Sequence, residues 1–122
     1  MDTDIKTPEL SIVIPLYNER DNLIPLEEQL ETELAKLNLS YEIILIDDGS
    51  VDGSAHLIES LQKHNPNIRL IQFGHNHGQS AAFAAGFKTA RGKIFVTLDA
   101  DLQNSPADIH LLLEKMKDYD VV

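Results

Sequence analysis

The sequence has no cysteine and no tryptophan, and cations are scarce: ten Lys and Arg face twenty Asp and Glu, a formal net charge of −10. Without cysteine there is no disulfide, no thiolate metal ligand and no cysteine nucleophile, a composition that fits a reducing compartment. So acidic a chain is poorly suited to neutralising phosphates, which argues against nucleic acid as a partner and against adhesion to anionic lipid. No apolar run reaches the ~18 residues that a spanning helix needs. Met1-Asp2-Thr3-Asp4 is acidic where a secretory signal would be basic. These absences give the expectation of a cytoplasmic chain. Neither G-x-G-x-x-G nor G-x-x-x-x-G-K-[ST] occurs, so dinucleotide and P-loop binding lose their usual signatures.

What is present fits one domain: 122 residues, 43% hydrophobic and 25% charged, without repeats or low-complexity tracts. Residues 1–9 read as a tail and 10–122 as the domain. Short β-branched runs alternate with stretches of helical period. Ser11-Ile12-Val13-Ile14 reads as a strand closed by Pro15. Leucines 23, 26, 30, 34 and 37 then fall in steps of three or four along one helical stripe, with Asp21 or Asn22 as cap and Pro25 in the first turn. Further strands are expected at 41–46, 68–73 and 94–98. Helices are expected after a cap at Asp52, over 78–91 with a stop at Gly92, and after the capping box at Ser105-Pro106-Ala107-Asp108.

This alternation predicts an α/β fold: three layers, a mostly parallel Rossmann-like sheet, helices on both faces and right-handed crossovers. Ala81, Ala82, Ala84 and Ala85 read as close helix–sheet packing. Tyr119-Asp120-Val121-Val122 reads as the start of another strand, so that the chain looks cut there. A half-finished sheet would leave an edge open to pairing, which allows a homo-oligomer.

In such sheets ligands bind beyond the carboxyl ends of the strands. Three clusters fall there. Asp99 and Asp101, two apart on an extended backbone, point to the same side about 7 Å apart. Together they can approach one divalent cation, with Gln103 as a neutral oxygen on the same alternation; oxygen-only donors favour Mg2+ or Mn2+. The alternative is an acidic turn whose Asp residues serve as caps. Asp47-Asp48-Gly49-Ser50 can offer one carboxylate to a base or ribose while the other caps or orients, although an Asp-Gly turn explains part of the pattern. Tyr17 and Glu19, past the first strand, could flank a nucleobase or simply pack. His75 and His77 read as loop residues rather than metal ligands. The helix opening at Gly78-Gln79-Ser80 could receive phosphate.

Taken together, Ile12-Val13-Ile14-Pro15-Leu16-Tyr17-Asn18-Glu19, the run from Glu42 to Gly53, and Asp99-Ala100-Asp101-Leu102-Gln103 resemble the inverting family 2 glycosyltransferases. The likeness is greatest to the dolichyl- or polyprenyl-phosphate, mannosyltransferase-like branch. Asn76-x-Gly78 and Ala90-Arg91-Gly92 add to it. The resemblance implies a GT-A fold acting on a nucleotide-diphosphate sugar. Pro15, Tyr17 and Glu19 would then be nucleoside contacts, Asp48 a base or ribose contact with Asp47 beside it, and Ile46 and Ala100 further donor contacts. Asp99, Asp101 and Gln103 would form the diphosphate–metal site. The implied acceptor is a lipid phosphate whose oxygen attacks the anomeric carbon with inversion. The catalytic base, the groups that hold the acceptor and any membrane-associating segments would lie beyond Val122. Asn104-Ser105-Pro106 is a loose form of the family's acidic-Pro segment, and Lys93 stands where a smaller or acidic residue is usual.

Two other classes share parts of the pattern. A haloacid-dehalogenase-like phosphatase also carries D-x-D after an apolar strand, but near the chain's start and with a hydroxyl residue where Gln103 stands. A receiver-type or other non-catalytic phosphate-binding module would use Asp47-Asp48 and Asp99, but its acidic pair follows the first strand.

Overall fold

The computed structural model describes residues 7–101 together with Pro106 and Ile109. Seven elements follow in chain order: β1 (Leu10–Leu16), α1 (Arg20–Ala35), β2 (Tyr41–Asp47), α2 (Ser54–Gln62), β3 (Ile68–Gln72), α3 (Gln79–Thr89) and β4 (Ile94–Thr97). All strand pairs are parallel, and the sheet order is β3-β2-β1-β4. The expected parallel, doubly covered architecture is observed.

Every residue of β1 is buried, because β1 has a neighbour on each edge and a helical layer on each face. One face carries Leu10, Ile12, Ile14 and Leu16 with Ile43 and Leu45, packed under Leu23, Leu26, Leu30 and Leu34 of α1 and Ile58 of α2. Each α1 leucine withdrawn from water contributes on the order of 2 kcal/mol. The other face carries Val13, Ile44 and Ile46 under α3. There the expected alanine packing is only partly realised: Ala82 is buried, but Ala84 is exposed. The closest approach is at Gly86, where a Cβ would lie 2.5 Å from Val13 Cγ1 and 2.9 Å from Ile46 Cδ1. α3 also carries Phe83 and Phe87, which stack on each other and then on Phe95 of β4.

Several element boundaries differ from the sequence expectation. β1 runs through Pro15, which pairs with Ile46. Residues of a parallel strand alternate in the edge toward which they hydrogen-bond. Leu16 O accepts from Asp48 N–H on the β2 side, and Val13 O accepts from Leu98 N–H on the β4 side. Pro15 therefore faces β4 at the point where that ladder ends, a position at which it has no N–H to give.

α1 begins at Arg20, before the expected caps Asp21 and Asn22, and its N-cap Glu19 makes no side-chain cap bond. Asp52 Oδ2 from the next turn accepts the Arg20 N–H at 3.1 Å instead. Pro25 consequently lies inside the helix rather than in its first turn. The helix ends at Ala35, leaving Leu37 half-buried against the core. Gly53, with φ 91°, holds the N-cap of α2. Asp52 still serves that helix, accepting from Ser54 N–H at 3.0 Å and Ser54 Oγ at 2.6 Å. α3 stops at Thr89 with Ala90 extended, so Gly92 is not its terminator; a Cβ on Gly92 would meet Ser11. The expected helix after Ser105 and the strand at Val121-Val122 lie outside the described residues, as do tail residues 1–6. Among the described residues no helix is long and apolar enough to cross a membrane.

At the amino ends of the strands, Glu42 is buried to 2% exposure. Its Oε2 accepts from Ser11 Oγ at 2.6 Å and from Arg91 N–H at 2.7 Å, and its Oε1 from Arg69 at 2.8 Å. Burial alone would raise this carboxyl, yet those donors from Ser11, Arg91 and Arg69 leave it below its ordinary value. Glu42 thus ties β1, β2, β3 and the turn after α3 together. A group whose folded value is lowered adds stability above its unfolded value and loses it as pH falls through the folded one. Glu42→Gln is expected to cost about 2 kcal/mol near neutral pH. Urea melts from pH 7 to pH 3 should show the difference between wild type and variant shrinking below about pH 4.5. That difference separates Glu42 from Asp52, also lowered, and Glu27, raised, both of which the variant retains.

Candidate nucleotide and metal site

The strand order reverses between β1 and β4: α1 and α2 carry the chain outward to β3, and α3 returns it to the opposite side of β1. Loops diverge from such a point and leave a crevice at the carboxyl end of the sheet. There, a cavity of about 190 Å3 is lined by Pro15, Leu16, Tyr17, Glu19, Asp48, Gln79, Ala82, Asp99, Ala100 and Asp101. Seven of the expected site residues thus converge from β1, β2 and β4: Pro15, Tyr17, Glu19, Asp48, Asp99, Ala100 and Asp101. Ile46 and Asp47 do not join them. Ile46 is buried beneath Gly86, and Asp47, 1% exposed, does not line the cavity. Gln103 lies outside the described residues.

Asp48 is buried to 5% exposure. Its two carboxylate oxygens accept from His77 N–H at 2.7 Å and Gly78 N–H at 2.9 Å, at the mouth of α3. The sequence left that helix start open to phosphate; Asp48 binds the two amides just ahead of it, and the N-cap itself makes no side-chain cap bond. Asn76 Nδ2 adds a bond to the Asp48 carbonyl at 3.3 Å. Gly49 makes the fit possible, since its φ is 79° and a Cβ would collide with the backbone of His75 and Asn76. His75 and His77 belong to this turn, their rings 4.1 Å apart. Asp47 Oδ1 accepts the Ser50 N–H at 2.9 Å, and its Oδ2 has no hydrogen-bond partner among the described residues.

Leu16 and Ala82 also line the cavity, although the sequence marked neither as a site residue; Gln79, which lines it too, belongs to the helix opening that the sequence offered to phosphate.

Among the described residues the lining contains four carboxylates (Glu19, Asp48, Asp99 and Asp101) and no basic side chain. Like charges so arranged repel an anionic diphosphate unless a cation enters with it. Asp99 and Asp101 offer hard oxygen donors two positions apart on one loop. Among the described residues no group of three His, Cys, Asp or Glu gathers to hold a metal. Two carboxylates completed by water and substrate phosphate are the usual surroundings of Mg2+, so the residues present fit such an ion.

The family model of glycosyl transferase family 2 matches residues 11–122. The chain belongs to glycosyl transferase family 2. Among solved structures, this family 2 chain is similar to a mannosyltransferase from Pyrobaculum calidifontis in complex with GDP-Man and Mn2+. The TM-score is 0.64 at 24% identity, covering 80% of this chain and 28% of that one. It is also similar to S. aureus TarS 1-349 in complex with UDP-GlcNAc, with a TM-score of 0.70 at 19% identity, covering 92% and 32%. The family 2 chain therefore spans about a third of the length of these structures, and at such identities the likeness is one of GT-A fold. The family match leaves the phosphatase and receiver readings without support.

If Asp48 holds the entry to α3, Asp48→Ala removes the acceptor of two backbone donors. A loss of about 2–3 kcal/mol is expected. Amide hydrogen exchange should accelerate at His77 and Gly78 well before it does in β1.

Proposed function

We propose that this chain is the nucleotide-sugar-binding part of a glycosyltransferase that passes a sugar from a nucleotide-diphosphate donor to an acceptor. One observation carries the reading: nucleoside-type contacts from β1 and β2 and the carboxylate pair after β4 share a single crevice at the switch point. Tyr17, half exposed at 47%, offers a ring face to a base, and Glu19 and Asp48 offer acceptors to base or ribose donors. Pro15 and Ala100 line the same cavity without charge. The neighbouring structures that hold GDP-Man with Mn2+ and UDP-GlcNAc support donors of this class.

Asp99 and Asp101, with Gln103 as the third donor expected from sequence, would hold Mg2+ or Mn2+. When bound, the ion neutralises the donor diphosphate and stabilises it as a leaving group. The finer reading is transfer with inversion to a polyprenyl phosphate, on the cytoplasmic side of a membrane. It rests on the sequence resemblance to the polyprenyl-phosphate branch.

Titration calorimetry with UDP- and GDP-sugars, with and without Mn2+, tests the donor reading. Binding is expected only with the metal, and Asp99→Asn/Asp101→Asn should weaken it at least about tenfold, or ~1.4 kcal/mol. Binding that is indifferent to both metal and substitution would remove the role assigned to this loop.

A further inference from the structure

Asn18 does not line the cavity, yet it stands between two residues that do, Tyr17 and Glu19. Its φ is 54°, in the left-handed region that asparagine tolerates better than most residues. Its backbone N–H donates to Ser50 Oγ at 2.8 Å, and its side-chain Oδ1 accepts from Val51 N–H at 2.9 Å. Ser50 is itself fixed, because its N–H donates to Oδ1 of the buried Asp47. Two residues further on, Arg20 N–H donates to Asp52 Oδ2. Three bonds thus stitch the β1–α1 turn onto the β2–α2 turn, and the stitch passes through the one residue whose backbone sets the direction of its two neighbours.

We infer that Asn18 is a positioning residue that sets the nucleoside end of the cavity, acting through Tyr17 and Glu19, with Ser50 and Asp47 as its support. The inference rests on the reading of the cavity as a nucleotide-sugar site. It also gives Asp47 a place: absent from the lining, it acts two bonds behind it. The diphosphate end belongs to Asp99 and Asp101 on the far side of β1 and does not depend on this stitch. Loss of Asn18 should therefore weaken recognition of the nucleoside and spare recognition of the metal–diphosphate.

The test compares two probes on the chain: UDP or GDP, whichever the wild type binds, and inorganic pyrophosphate, each with Mn2+. Asn18→Gly keeps the left-handed backbone accessible and removes only the side-chain acceptor. Asn18→Asp keeps an acceptor oxygen at the same place. Ser50→Ala cuts the other half of the stitch should Asn18→Gly fold poorly. Nucleotide affinity is expected to fall roughly three- to tenfold in Asn18→Gly and Ser50→Ala, the size of one lost hydrogen bond. It should return to within about twofold in Asn18→Asp, with pyrophosphate affinity unchanged throughout. Variants that bind nucleotide like the wild type, or that lose nucleotide and pyrophosphate in parallel, overturn the inference while leaving the site reading intact. A wild type that binds neither probe defeats the site reading itself, and the inference with it.

Discussion

Parallel hydrogen bonding on both edges of β1 is the constraint from which the rest follows. A strand flanked on each side has no polar edge left to solvate, so it is built from apolar residues and covered on both faces. Its carboxyl end is also the one place where chain arriving from two directions must part. Leu16 O is engaged by Asp48 N–H on one side, whereas on the other the ladder stops after Val13. The crevice is the space left by that asymmetry, with Tyr17, Glu19 and Asp48 on one bank and Asp99 and Asp101 on the other.

Acidic residues serve opposite ends in this molecule. At the amino ends of the strands, Glu42 is surrounded by donors and works as a structural tie. At the carboxyl ends, Asp48 likewise accepts from backbone N–H groups and shapes the turn into α3, while Asp99 and Asp101 line the cavity. The net charge of −10 does not by itself mark a repulsive surface, since part of it is held in such hydrogen bonds.

The sheet, its parallel sense and the grouping of strand-end motifs were legible because β-branched runs and a leucine stripe carry strong periods. The cavity's two banks were legible because strand-end residues in a parallel sheet have a known destination. What escaped were interactions made across turns. The cap of α1 comes from Asp52, thirty-two positions along the chain, and no local pattern around Asp21 or Asn22 could reveal it. The fastening of Asp48 to His77 and Gly78 likewise depends on how closely Gly49 admits a neighbouring backbone. Ile46 and Asp47 were grouped with Asp48 through the motif that the three residues share. Alternation along β2 sends Ile46 beneath α3, while Asp47 turns to the Ser50 amide.

Pro15 offers a last consequence. By register, an amide hydrogen at this position would continue the β1–β4 zipper by one more rung, toward the carbonyl of Leu98. An imino acid has none to give. The seam between the two strands therefore comes undone at a chemically fixed tooth.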